Sequence, residues 1–320
     1  MPVVSKEQPS PKKTIDRNRF LYRVIRDAKV NKYVYLMLLP VVAYYAIFHY
    51  GPMYGVQIAF KDYVPYLGIS GSEWVGLKHF EDFFNSYYFW RILRNTIIIS
   101  VLELLFAFPA PIILALLLNE IRNNRFKRTV QTITYLPHFI SIVVIVGILV
   151  DFLARDGLIN NVLSIFGVEP VAYLREPEWF RTIFIGSGIW QSVGWGSIIY
   201  LAAMSNIDPT LYEASRVDGA NRWKQTIHIT IPGIMPTIII LLILQIGNLM
   251  SVGTEKILLM YNSNTYETAD VIGTYVYRKG LLESNFSFSS AIGLFNSIIN
   301  FTLLVFANYL SKKTTETKLW

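Results

Sequence analysis

Residues 206–236 read NIDPTLYEASRVDGANRWKQTIHITIPGIMP, a polar stretch between two apolar ones at 181–204 and 234–252. Asp208 suits an N-cap and Pro209 the first helical position, so the spacing predicts a helix over Thr210 to Asp218. Gly219 can take the left-handed conformation that stops it. A second helix is expected from Ala220 to about Ile229, with Pro232 and Pro236 setting the entry into the next apolar stretch. Small residues at Ala214, Ser215, Gly219 and Ala220 would let another protein surface approach closely. A stiff hairpin wedged into a partner could pass that partner's motion to the segments on either side. The same residues also allow an amphipathic hairpin lying on a membrane, held by Trp223 with Arg222 and Lys224.

The flanking stretches belong to a chain of 320 residues that is 53% hydrophobic and 16% charged. That balance does not suit a soluble surface, because segments such as AFPAPIILALLL and IIILLILQIG would need burial on every side. There is no cysteine, which excludes disulfides and thiolate metal sites. The formal charge is +7, and nine basic residues lie in residues 1–32, directly before an apolar run and with no interleaved aromatic stacking pattern. This is a flank that orients a membrane segment, not a nucleic-acid arm. A cleaved signal peptide is not expected, since about thirty polar residues precede the first apolar stretch.

A membrane-crossing helix needs about 20 mostly apolar residues. Six segments qualify, at 33–50, 93–118, 130–153, 181–204, 234–252 and 289–310. Pro40, Pro109 and Pro111 fall inside them and predict kinks. With the N-terminus inside, the inner segments hold 19 of the 29 basic residues, while twelve of the 22 acidic residues fall in outer loops. The expectation is an all-α integral membrane protein with six transmembrane helices and both termini cytoplasmic. It divides into a basic segment 1–32, a membrane domain 33–310 and a tail 311–320, with the hairpin between the fourth and fifth helices.

Polar groups within the spans nominate a path for a solute, because they are costly unless they face a partner or a cavity. Trp190, Gln191 and Trp195 in the fourth span, Gln245 and Asn248 in the fifth, and Asn296 with Asn300 in the sixth offer amides and flat rings suited to a sugar. Ordinary helix packing in membranes uses the same residue types. Glu103 stands apart, since a carboxylate at the centre of a span costs about 2.5–3.5 kcal/mol. The expectation for it is an intersubunit or structural hydrogen bond. The outer loop 61–90 is dense in aromatic residues, which fits an interfacial belt or a cap that binds a partner.

The run Glu213-Ala214-Ser215, then Asp218-Gly219-Ala220, then an apolar stretch ending Ile229-Thr230-Ile231-Pro232, resembles the EAA loop of ABC importer permeases. Ser215 stands where that family usually has Ala, and Ile231 where it usually has Leu. The segments GPMYGVQIAFKDY, QTITYLPHFIS and YETADVIGTYVYRKGL resemble the branch associated with complex oligosaccharide or polysaccharide uptake in Gram-positive bacteria. The resemblance implies coupling helices seated in a cleft of a cytoplasmic ATPase, with Glu213, Ala214, Ser215, Asp218, Gly219 and Ala220 at the matching positions. With the hairpin and outer loops it implies a second similar permease subunit, two ATPase subunits, an extracellular lipid-anchored solute-binding protein and a saccharide substrate. The implied location is the bacterial cell membrane, crossed several times among membrane lipids, with no nucleic acid partner.

Other classes lack their residues. His49, His79, His138 and His228 are scattered, with no H-E-x-x-H and no G-x-S-x-G, so an enzyme is not expected. No G-x-x-x-x-G-K-[ST] occurs, which assigns ATP and Mg to a separate ATPase and leaves this chain with no cofactor of its own. An ion-coupled carrier is compatible with six spans but leaves the hairpin without a role.

Overall fold

The computed structural model describes residues 26, 27 and 29–315, with side chains to 313. Most of the basic N-terminal segment and the end of the tail lie outside the described residues. The chain divides into two compact units, Met1–Gln57 and Ile58–Trp320. The helical stretch Lys32–Phe60, here α1, accounts for nearly all of what is described in the first unit.

The second unit is built from helices α2 (Lys78–Phe84), α3 (Phe89–Glu120), α4 (Asn124–Phe139), α5 (Ile142–Phe152), α6 (Leu158–Ser164) and α7 (Pro177–Ser205). After these come α8 (Pro209–Val217), α9 (Arg222–Gly247), α10 (Thr254–Met260), α11 (Ile272–Tyr277) and α12 (Phe286–Thr315). The all-α expectation needs one amendment, a two-residue antiparallel ladder between β1 (Lys61–Asp62) and β2 (Glu73–Trp74) in the aromatic loop. Phe60 and Trp74 stack at its edge with ring centroids 5.7 Å apart.

Among the described residues α1, α3, α9 and α12 are long and apolar enough to cross a membrane, and α4 with α5 makes a fifth if the bent pair is one span. At about 1.5 Å per residue α7 is about 44 Å long, but its Gly and Ser content lowers its hydropathy. Large apolar side chains point outward along these helices, with Leu105 60% and Phe301 66% exposed, as lipid contact requires. Three apolar clusters hold the second unit together. Ile99, Phe180, Phe184 and Ile257 join α3, α7 and α10; Phe83, Ile92, Ile272 and Ile292 join α2, α3, α11 and α12; Ala115, Tyr200, Met204 and Ile234 join α3, α7 and α9.

The expected kink at Pro109 takes the form of a π-helical turn. Phe108 N–H donates to Glu103 O at 3.0 Å, one residue further back than in an α-helix. The same turn precedes Pro52, where Gly51 donates to Ala46 O, and Pro232, where Ile231 donates to Thr226 O. A proline ring pushes on the carbonyl four residues back, and a widened turn relieves that contact without ending the helix.

Three spans differ from the sequence expectation, and the first of them, 33–50, runs on as helix to Phe60. The third span, 130–153, is broken by a 100° bend between α4 and α5. Ile140 is extended there, and Ser141 caps α5 by accepting from Val144 N–H at 3.4 Å. Gly194 lets α7 pass close to α4 ahead of the bend, since a Cβ on it would stand 2.1 Å from Thr134 O. The fifth span starts at Arg222 and ends at Gly247, so residues 248–252 are unwound. Asn300 on α12 holds that unwound strand, with Oδ1 accepting from Met250 N–H and Nδ2 donating to Ser251 Oγ, both at 2.9 Å.

Candidate functional site

The hairpin at 206–236 is closed by local chemistry at both ends of α8. Asp208 Oδ1 accepts from Thr210 N–H at 2.9 Å, and that bond holds its carboxyl below the usual range. At the other end Gly219 has φ +77°, Ala220 N–H donates to Ser215 O at 2.9 Å and Gly219 N–H to Arg216 O at 3.1 Å. These two bonds form a Schellman stop.

The expected second helix of the hairpin is not a separate element. Asn221 caps Arg222 through a 2.9 Å bond from Lys224 N–H, and the helix then continues across Pro232 and Pro236 as α9. Helix α8 is thus tied directly to the first turns of a long apolar helix. Gln225 Nε2 donates to Ser215 Oγ at 2.9 Å, and the Tyr212 and Thr230 hydroxyls meet at 2.9 Å. Arg222 also meets Glu120 at the end of α3 at 2.5 Å, although both groups are well exposed and such pairs contribute little. A cleft of about 750 Å³ opens between the end of α3 and the hairpin.

The four small residues do not share one surface. Ala214 and Gly219 face outward with Glu213 and Asp218, whereas Ser215 and Ala220 are half-buried where the two arms meet. Leu211, Ala214 and Val217, three residues apart, form the outer face of α8, and Val217 is 89% exposed. Trp223 on the other arm is 71% exposed. An apolar face of this kind on a stiff hairpin suits contact with another surface.

A cavity of about 440 Å³ lies between α3, α7 and α9. Its wall includes Glu103, Phe108, Ser192, Tyr200, Gln245 and Asn248. Gln245 and Asn248 are therefore brought together with Glu103. Asn248 sits at the end of α9, not within a continuous span, and its Nδ2 donates to Leu244 O at 3.1 Å.

The other nominated residues lie elsewhere. Gln191 Nε2 donates to Ile140 O at 3.4 Å, holding the α4–α5 bend. Trp195 stacks on His138 at 4.7 Å with the rings 2° from parallel. Trp190 is 48% exposed on α7, and Asn296 has its Oδ1 buried without a partner in α12.

One cluster escaped the sequence reading. Asp270, fully buried, receives both Arg278 guanidinium arms and Thr274 Oγ1, with Arg91 at 3.4 Å. Asn95 donates to the Glu267 and Asp270 carbonyls and accepts from Arg181 Nη2 at 2.9 Å. The signal available in the sequence was an acidic residue beside charged span ends. Its partners lie as far as 179 positions away, which only the fold discloses.

Comparison with known proteins adds to this geometry. Residues 107–316 match the family described as binding-protein-dependent transport system inner membrane component. The chain is 46% identical over 293 residues to the protein LplB of Bacillus subtilis, covering 91% of this chain and 92% of that one. It is also 46% identical over 301 residues to the polygalacturonan/rhamnogalacturonan transport system permease protein YteP of the same species, covering 94% and 92%. A solved bacterial ABC transporter involved in import of the acidic polysaccharide alginate has a chain 46% identical, with TM-score 0.86 over 92% of this chain and 99% of that one. A bacterial alginate ABC transporter solved in complex with an alginate pentasaccharide-bound periplasmic protein matches at TM-score 0.87 and 45% identity, over 93% and 100%. The helices, the hairpin and these relatives agree, and the chain is a multi-pass cell-membrane protein that belongs to the family of binding-protein-dependent transport system inner membrane components.

Proposed function

We propose that this chain is the permease subunit of an ATP-driven importer that passes oligosaccharides or polysaccharide fragments across the plasma membrane. The observation that carries the reading is the near full-length likeness to a permease named for polygalacturonan and to an alginate importer. In this reading six spans cross the membrane with both termini cytoplasmic, and α8 with the start of α9 is the coupling element. A second permease completes the pore, two ATPase subunits hold ATP and Mg, and a lipid-anchored binding protein delivers the sugar outside. The absence of a phosphate-binding loop from the sequence supports a separate ATPase.

The mechanism follows from stiffness. Closure of the ATPases on ATP draws the hairpins together, and because α9 runs without interruption from Arg222 to Gly247, displacement at the hairpin reaches Gln245 and Asn248 at its far end. The cavity beside those residues then opens outward. The test is to co-purify the complex with its binding protein, rebuild it in vesicles and follow saccharide uptake with ATP trapped inside. Uptake that needs ATP and stimulates its hydrolysis supports the reading. Uptake that follows an ion gradient and ignores ATP overturns it.

A further inference from the structure

The cavity between α3, α7 and α9 holds a carboxyl group that no described residue meets at contact distance. Glu103 lines the cavity wall and makes no ion pair or side-chain hydrogen bond among the described residues. Several other polar side chains of the bundle behave differently. Ser100 donates to Leu249 O, Ser197 to Gly194 O, Gln191 to Ile140 O, and Asn300 serves the unwound strand after α9. A polar side chain in that setting that this chain leaves without a partner is open to what enters the cavity, whether water, a solute or a facing subunit.

A cation stands behind the wall. Lys256 on α10 is only 7% exposed, donates to Phe184 O at 2.9 Å and lies over the Phe184 ring at 4.8 Å. Gly188, which lines the cavity, packs beside it, and a Cβ there would stand at an ordinary contact distance of 3.5 Å from Lys256 Nζ. Its own hydrogen bond keeps Lys256 out of the opening. What faces the cavity is an acceptor-only carboxylate beside Gln245, Asn248 and Ser192, which both donate and accept.

We propose that Glu103 is a specificity-determining residue of the sugar path: it accepts hydroxyl hydrogens from the passing saccharide and disfavours a sugar carboxylate at that level. The proposal rests on the importer reading above. Like charges in a partly desolvated cavity repel, whereas a hydroxyl donor to a carboxylate makes a strong, charge-assisted bond.

The experiment compares Glu103→Gln and Glu103→Asp with wild type in the complete complex in vesicles, using one binding-protein preparation throughout. The probes are tetragalacturonate and its methyl ester, the same skeleton with and without charge. Assembly of each variant is checked by size-exclusion chromatography. Glu103→Gln is expected to raise the ratio of acid to ester uptake on the order of threefold or more, while Glu103→Asp keeps the wild-type ratio. If only the acid crosses, the rise is read in its kcat/KM. An unchanged ratio and kcat/KM in Glu103→Gln, beside ATP-dependent wild-type uptake, overturns this inference alone. Wild-type vesicles whose uptake of either probe follows an ion gradient and ignores ATP overturn the importer reading and this inference with it.

Discussion

Arg278 grips Asp270 with both arms of its guanidinium, Nη1 to Oδ1 at 2.8 Å and Nη2 to Oδ2 at 2.7 Å. The carboxylate is fully buried, and Thr274 and Arg91 share it. Removing one partner of such a pair strands the other charge. Asp270→Ala is expected to destabilise the chain by about 3–5 kcal/mol. Thermal unfolding of the purified chain in detergent would show this as a large drop in midpoint, and an unchanged midpoint would mean the cluster is idle.

Gly219 sits at φ +77° with nothing within 4 Å of where a Cβ would be, so the cost of a side chain there is conformational and not steric. A left-handed conformation costs an ordinary residue about 1–2 kcal/mol, and asparagine tolerates it. Gly219→Val should loosen the stop of α8 and lower the sugar imported per ATP hydrolysed. Gly219→Asn should keep it. Equal stoichiometry in all three proteins would contradict the role given to the hairpin.

Gly194 faces backbone, with Thr134 O only 2.1 Å from where a Cβ would stand, and backbone cannot step aside as a side chain can. Gly194→Ala should therefore force α4 and α7 apart at a cost of about 1–3 kcal/mol or more. Gly186→Ala, on the same helix with nothing within 4 Å, is the control and should leave the unfolding midpoint close to wild type.

Asn300 supplies both the acceptor for Met250 N–H and the donor to Ser251 Oγ, where the chain leaves α9. Met250 is itself buried, so its amide has no ready access to water once the acceptor is gone. Asn300→Ala is expected to cost about 1–3 kcal/mol and to speed amide exchange in residues 248–253. Slow exchange in the variant would show that another group takes over.

The hairpin and the apolar helices could be read in advance because their signals are local. Asp208 before Pro209 announces a helix start, Gly219 after a helical run announces its stop, and long apolar stretches announce helices that need lipid. The proline effects were half legible: Pro109 and Pro232 signal distortion, but whether the helix bends or widens depends on what packs around it. The expected separate second arm of the hairpin failed for this reason, since a π turn at Thr226–Thr230 precedes Pro232 and α9 continues past Pro236 as one helix.

The sequence by itself determined which segments are helical, which of them are apolar enough for a membrane, and where the polar hairpin falls, because capping, left-handed stops and hydropathy act within a few residues. Only the tertiary structure decided which polar groups meet. Gln191 and Gln245 are equivalent amides in the sequence, yet one holds a bend and the other lines a cavity with Glu103. The difference is set by the rotation of each helix and by close approaches such as that of Gly194 to Thr134. It is set as well by where α9 unwinds. These depend on contacts between residues far apart in the chain, and the local pattern carries no record of them.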